Sequence, residues 1–169
     1  KIRRVILSFV NNAIKFTPAG CITLVFSARQ EEYGINLSVK VKDTGIGIED
    51  ENLEKLFSSF NQVDTKRNRQ EGGIGIGLAI SKRIISKMGG FISVRSNFGK
   101  GSEFQFVIPQ KVVDNRPMVA VRNAESINII SYINTEKYEF TEIRDNYMNN
   151  ISHMVESLEV RYHQCRNLD

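Results

Sequence analysis

The chain has 169 residues, 41% hydrophobic and 25% charged, the balance of a globular protein with room for one domain, or for one and part of a second. Its net charge of +4 is uneven: 16 Lys and Arg against 10 Asp and Glu leave +6 up to Pro109, and 7 against 9 leave −2 beyond it. The basic residues are scattered with no aromatic-studded stripe, which argues against nucleic acid, and no apolar run approaches the roughly 20 residues of a bilayer span.

Ile2, Val5, Ile6, Phe9, Ala13 and Phe16 recur at helical spacing and Thr17-Pro18-Ala19-Gly20 stops the pattern, so residues 1 to 16 are predicted to form a helix. The chain opens inside that element, as a fragment would. Ile22, Leu24 and Phe26 alternate, as do Ile35, Leu37, Val39 and Val41, with a turn over Glu31 to Gly34 between them, which predicts an antiparallel hairpin. A short helix over Glu51 to Phe57, a polar stretch from Ser58 to Gly73 and a helix from Gly77 to Met88 follow, the last stopped by Gly89-Gly90. Phe91 to Val94 and Phe104 to Ile108 form a second predicted hairpin around Gly99-Lys100-Gly101.

All 12 glycines lie at or before Gly101 and Asn becomes frequent after Pro109, so a domain boundary is expected near Gln110 to Pro117. Beyond it, Met118 to Val121 reads as a strand, Ile127 to Ile133 as a helix and Ile143 to Val160 as a second helical stretch. Cys21 and Cys165 stand alone, without a CxxC or Cys/His cluster, which fits a reducing cytoplasm and neither a disulfide framework nor a structural zinc site.

Three segments carry chemistry. Asn12 and Lys15 share a face of the first helix, offering an amide oxygen to a hard cation and an ammonium to phosphate, as a magnesium nucleotide requires. Asp43, at the end of a strand and followed by Thr44-Gly45-Ile46-Gly47-Ile48, is an acceptor suited to an exocyclic amine such as adenine N6. Gly73, Gly75 and Gly77 allow close backbone approach to an anion, and the helix that follows points its free N–H groups there. The spacing fits neither a Rossmann loop nor a P-loop, and Gly99-Lys100-Gly101 lacks the Ser or Thr that a P-loop places after its lysine.

Asn11 to Thr17 resembles the N box of sensor histidine kinases, Asp43 to Ile48 the G1 box, Leu56 to Gln62 the F box and Gly73 to Ile80 the G2 box, in that order. Met88-Gly89-Gly90 and the run Ser96 to Phe104 resemble the strand pair closing this family's catalytic and ATP-binding domain. The resemblance covers residues 1 to 109 and implies an α/β (α+β) sandwich of the GHKL type, with a mixed, largely antiparallel sheet and helices on one face.

It further implies ATP with Mg2+: Asn12 on magnesium, with Ser8 a further oxygen ligand; Lys15 on phosphate; Phe16 on the adenine ring; Asp43 on N6; Gly45 and Gly47 along the base pocket. Ser58 to Ile74 would be an ATP lid anchored by Phe57 and Phe60, with Lys66, Arg67 or Arg69 free for the triphosphate. Gly73, Gly75, Gly77 and Leu78 would line the nucleotide. The implied activity is transfer of the ATP γ-phosphoryl to a histidine on a separate dimerisation domain, with a response regulator or receiver domain downstream, in a homodimeric protein of which this is a cytoplasmic part, with or without a membrane anchor elsewhere. A nucleotide-binding pseudokinase is the alternative.

The chain departs from the family pattern at Ser8, where Asn is usual, and at Ile74, where Thr is frequent. Its only histidines are His153 and His163, and Asn150-Ile151-Ser152-His153 only faintly echoes a phosphoacceptor box. Residues 110–116 read as a linker. Residues 117–169 read as a partial or degenerate receiver-like segment, with Arg122-Asn123-Ala124-Glu125 where a receiver places its acids, or as a helical one.

Overall fold

The structure, a computed structural model, describes residues 1–53, 55–57, 77–116 and 119–165. The chain divides into two compact units, Lys1–Val113 and Asp114–Asp169.

In the first unit, α1 (Ile2–Phe16) leads into β1 (Ile22–Glu31), β2 (Gly34–Asp43), the single turn α2 (Asp50–Leu53), α3 (Gly77–Lys87), β3 (Phe91–Asn97) and β4 (Gly101–Gln110). The short helix expected over Glu51 to Phe57 is thus a turn of helix followed by an irregular turn at residues 55–57. The strand order is β1-β2-β4-β3, and every pairing in this sheet is antiparallel among the described residues. β4 inserts between β2 and β3, so the two hairpins of the sequence become one sheet through the pairing of Val39 with Phe106 and Val41 with Phe104.

Alternation sorts these strands into two faces. Val39, Val41, Phe104, Phe106 and Ile108 point to one side and meet Val5, Phe9 and Ala13 of α1 and Ile85 of α3 in a single buried cluster. Phe9 is its centre, with ring centroids 5.4 Å from Phe104 and 6.1 Å from Phe106 in tilted and edge-on contacts; burying such a ring contributes roughly 1.5–3 kcal/mol. The opposite face is mixed, with Lys40 paired to Glu103 at 3.1 Å and Gln105 donating to Ser38 beside exposed Val25 and Phe91. The helices therefore lie on one face, as the resemblance implied.

The second unit runs through two short 3-10 turns, Ala124–Ser126 and Thr135–Lys137, and through β5 (Asn128–Tyr132), α4 (Thr141–Ser157) and β6 (Arg161–Cys165). Here the sequence reading needs correction. Ile127 to Ile133 is not a helix: its β-branched residues form β5, which pairs in parallel with β6. β6 had no expectation at all, because Arg161, His163 and Gln164 break any apolar alternation. Val119 to Val121 are not in a strand, and Met118 lies outside the described residues. α4 matches the second helical stretch, burying Val155, and the Ser131 and Tyr162 hydroxyls meet at 2.7 Å. No described helix is long and apolar enough to cross a membrane.

Candidate nucleotide site

The helix α1 is two-sided by virtue of its sequence. Val5, Phe9 and Ala13 fill the buried stripe, while Ser8, Asn12 and Lys15 follow one another along an adjoining half-buried flank. That flank approaches the start of α3: a Cβ placed on Gly77 would lie 3.0 Å from Ser8 Oγ. Gly77 opens α3, an 11-residue helix whose first N–H groups have no intrahelical acceptor and favour an anion. Ser81, one turn on, is spent internally, its buried hydroxyl donating to the Gly77 carbonyl at 2.8 Å.

At the other end of α1 the chain is tightly laced to the loop after β2. Ile46 N–H donates to Phe16 O at 3.1 Å, Thr44 N–H donates to Cys21 O, and Cys21 N–H returns to Thr44 Oγ1 at 2.9 Å. Gly45 is glycine because an added Cβ would collide with the Phe16 carbonyl. Gly47, at φ 68°, would collide with the carbonyl of Asn97 at the end of β3, where the β3–β4 turn begins. Both glycines therefore answer first to neighbouring backbone, which brings Phe16, the 44–48 loop and the β3–β4 turn into one place. Lys15 Nζ stands 5.5 Å from the centroid of the Phe16 ring, a cation–π arrangement that sets an ammonium beside an aromatic face.

Asp43 ends β2 and is only 5% exposed. Its Oδ1 accepts two backbone donors, Gly45 N–H at 2.9 Å and Ser102 N–H at 3.2 Å. These two bonds fix the plane of the carboxylate. Oδ2 has no hydrogen-bond partner among the described residues and remains as an acceptor. The Thr17 hydroxyl oxygen is buried without a partner among the described residues.

Asn12, Lys15, Phe16, Asp43, Gly45 and Gly47 thus belong to or adjoin the α1 end and the 44–48 loop, and Ser8 and Gly77 are mutual neighbours. Leu78 packs against the hydrophobic cluster, as does Phe57, over which Lys82 Nζ stands at 5.7 Å. Phe60, Gly73, Gly75, Ile74 and the cations Lys66, Arg67 and Arg69 lie outside the described residues. A cavity of about 420 Å³ lined by Ile48, Glu49, Asp50, Asn97, Phe98 and Lys100 includes none of the expected site residues.

Sequence reasoning missed Ser102 and Ser96. Inward positions of β4 alternate Ser102, Phe104, Phe106, Ile108, and a buried hydroxyl opening an otherwise apolar series is the signal that could have found Ser102.

Among the described residues no three His, Cys, Asp or Glu side chains gather as a metal site. Magnesium commonly binds nucleotides on one or two protein oxygens and the phosphates, and the half-buried amide of Asn12 on α1 is a donor of that kind.

Comparison with known proteins finds similarity to histidine kinase-like ATPases. A family model described as histidine kinase-, DNA gyrase B-, and HSP90-like ATPase matches residues 1–112. Hybrid signal transduction histidine kinase B of Dictyostelium discoideum is 43% identical over 110 residues, 64% of this chain and 6% of that protein. Hybrid signal transduction protein dokA of the same organism is 34% identical over 154 residues, 89% of this chain and 9% of that protein. The chain therefore spans less than a tenth of the length of these two relatives. The crystal structure of full-length ShkA in complex with AMPPNP superposes with a TM-score of 0.64 at 26% identity, over 99% of this chain and 31% of that one.

Proposed function

The chain belongs to the histidine kinase-, DNA gyrase B-, and HSP90-like ATPase family, and on that premise we propose that its first unit binds magnesium ATP and serves as the catalytic module of a hybrid histidine kinase. The observation that carries the reading is Asp43: a buried carboxylate with one oxygen held by two N–H groups and the other left over is a fixed acceptor, suited to the N6 amine of adenine.

The remaining roles follow from placement. Phe16 offers a ring face to the base, Lys15 an ammonium to the phosphates, and Asn12 an amide oxygen to magnesium, while the start of α3 at Gly77 faces the anionic end. Magnesium, when bound, neutralises phosphate charge. This chain's own residues bind and orient the nucleotide, so that the γ-phosphoryl leaves ADP for a histidine nitrogen brought by another domain. Catalysis of this kind rests on positioning and electrostatics rather than on a covalent enzyme intermediate.

The acceptor belongs to a dimerisation domain of the longer, homodimeric, cytoplasmically facing protein. His153 is a poor candidate for it: Met154 stands where an acceptor box of this family carries an acid, and no proline follows. The second unit is a receiver-like β-α-β segment. Parallel strands joined by a helix support that reading, and ligands of such units bind beyond the carboxyl ends of the strands. β5 is the first strand, so the acid positions fall at Ile133, Asn134 and Thr135 rather than at Arg122 to Glu125, and no carboxylate stands among them. Asn134 Oδ1 instead accepts from Glu136 N–H.

Calorimetric titration with ADP and AMPPNP, with and without magnesium, tests the binding step; saturable binding strengthened by magnesium is expected. Folded protein that takes up neither nucleotide at millimolar concentration overturns the reading. Adding a histidine-bearing dimerisation domain and ATP labelled on its γ-phosphorus then tests transfer, read as acid-labile, base-stable phosphohistidine on the added domain.

A further inference from the structure

We propose that Ser96 is a positioning residue for base recognition: its hydroxyl ties the 44–48 loop to the β3–β4 hairpin and so fixes the carboxylate of Asp43 for its ligand. The proposal rests on the nucleotide-binding reading above and adds a residue that reading does not use.

Ser96 lies on β3 directly opposite Ser102 on β4. Two residues along each strand, Val94 faces Phe104 on the helix-covered side of the sheet, so both serines point to that side as well. The Ser96 hydroxyl has three neighbours. Ile48 N–H donates to it at 2.8 Å, and it stands 3.0 Å from the Gly101 carbonyl and 3.1 Å from Ser102 Oγ.

A serine hydroxyl has one proton and two lone pairs. Its proton can go to Gly101 O, which has no proton to offer in return. Ser96 Oγ then accepts from Ile48 N–H, and its single proton is directed at Gly101 O and Ser102 Oγ, which stand on the donor side of the hydroxyl. Ser102, held in this way, sends its backbone N–H to Asp43 Oδ1. The route from the loop to the carboxylate is therefore continuous: Ile48, Ser96, Ser102, Asp43.

The loop has a second tie to the same hairpin, Gly99 N–H to Ile46 O at 2.7 Å. That bond is backbone to backbone and survives any side-chain change. Removing the Ser96 hydroxyl should thus loosen the loop at Ile48 without detaching it, and leave a part-buried N–H without its acceptor. The loss should fall on the register between the loop and Asp43, and hence on which base is preferred, more than on folding.

The test compares ADP and GDP affinities by calorimetry in the parent chain and in Ser96→Ala, Ser96→Cys and Ser96→Thr, together with melting temperature and hydrogen exchange at the Ile48 amide. Ser96→Ala is expected to narrow the preference for ADP over GDP by about three- to tenfold, the worth of one hydrogen bond, and to speed exchange at Ile48. Ser96→Thr, which keeps the oxygen, should restore both. Ser96→Cys is nearly isosteric with a weak acceptor and should resemble Ala; it carries the test if Ala fails to fold. A preference unchanged in Ala or Cys while the parent binds ADP overturns the role of Ser96, as does equal weakening of both nucleotides. A parent chain that binds neither nucleotide overturns the function itself, a distinct result.

Discussion

The backbone N–H of Ser102 donates to Asp43 Oδ1 at 3.2 Å, joining residues 59 positions apart. Together with Gly45 N–H, this makes Asp43 a structural acceptor on one oxygen, while the other has no partner among the described residues, so two substitutions separate its roles. Asp43→Ala should strip both buried donors of their partner, costing about 1–3 kcal/mol of stability along with nucleotide binding. Asp43→Asn keeps an acceptor at Oδ1 and sets an NH2 group where Oδ2 stood, so the protein should melt close to the parent but lose ADP affinity tenfold or more. Calorimetry with ADP beside thermal melting checks both. An Asn variant binding ADP as the parent does would remove Asp43 from base recognition.

Gly45→Ala should unfold or severely loosen the site end of α1. Its Cβ would run into the Phe16 carbonyl and come within 2.7 Å of Thr17 Oγ1, and backbone held by Ile46 N–H to Phe16 O has little room to retreat. Overpacking of this kind costs about 1–3 kcal/mol. Urea unfolding of the variant measures it, and a midpoint matching the parent would show that the contact can relax.

Phe9→Ala should be the most damaging change in the first unit, at about 3–5 kcal/mol. The ring is fully buried between Phe104 and Phe106 and joins α1 to the sheet. Since α1 also carries Ser8, Asn12 and Lys15, nucleotide affinity should fall with stability, and denaturant melts followed with and without ADP would show both losses together.

How much of this was legible depends on how local the cause is. The stripe Val5, Phe9, Ala13 and the stop at Thr17-Pro18 fixed α1 to within a residue of its observed span, Ile2–Phe16. The 44–48 loop was readable as a strand-ending turn. Ile127 to Ile133 misled because a short cluster of isoleucines fits helix and buried strand equally well, and only pairing with the polar β6 decides it. The insertion of β4 between β2 and β3 and the bond from Ser102 to Asp43 are long-range facts with no periodic trace. Gly45 and Gly47 are glycines for a reason the sequence hides, the approach of carbonyls from Phe16 and Asn97.

Acid should release Asp114 from Arg116. The exposed guanidinium bonds both carboxylate oxygens, with Nε at 3.1 Å from each, and its side-chain and then its backbone hydrogen bond hold Asp114 below the ordinary carboxylate value. A folded value below the unfolded one gives a stabilisation present above the unfolded value, roughly pH 3.9, and lost as pH falls through the folded value. Carbon NMR titration should place the Asp114 midpoint low in dilute buffer and return it upward in Arg116→Ala or at molar salt, which screens exposed pairs. A midpoint insensitive to both would show that the pair does not persist in solution.

Ser8 and Gly77 offer the last test, because they face each other across the gap between α1 and the start of α3. Ser8 Oγ lies 3.0 Å from where a Gly77 side chain would begin, so whatever occupies residue 8 reaches toward the first N–H groups of α3. Ser8→Asn lengthens that reach with an amide oxygen at little cost to the helix, since Ser and Asn have similar helix propensities. Magnesium-dependent AMPPNP affinity should stay equal or rise, by up to about fivefold for one added ligand contact. Gly77→Ala alone should be mildly destabilising, with a methyl at the edge of the Ser8 hydroxyl. Combined with Ser8→Asn it should cost more than the two changes separately, because the longer amide meets the new methyl, and such coupling is expected only between residues in contact. A double-mutant cycle on melting temperature and AMPPNP affinity reads it directly: additive effects would separate α1 from the start of α3, and a loss of magnesium dependence in Ser8→Asn would take residue 8 out of the cation's surroundings.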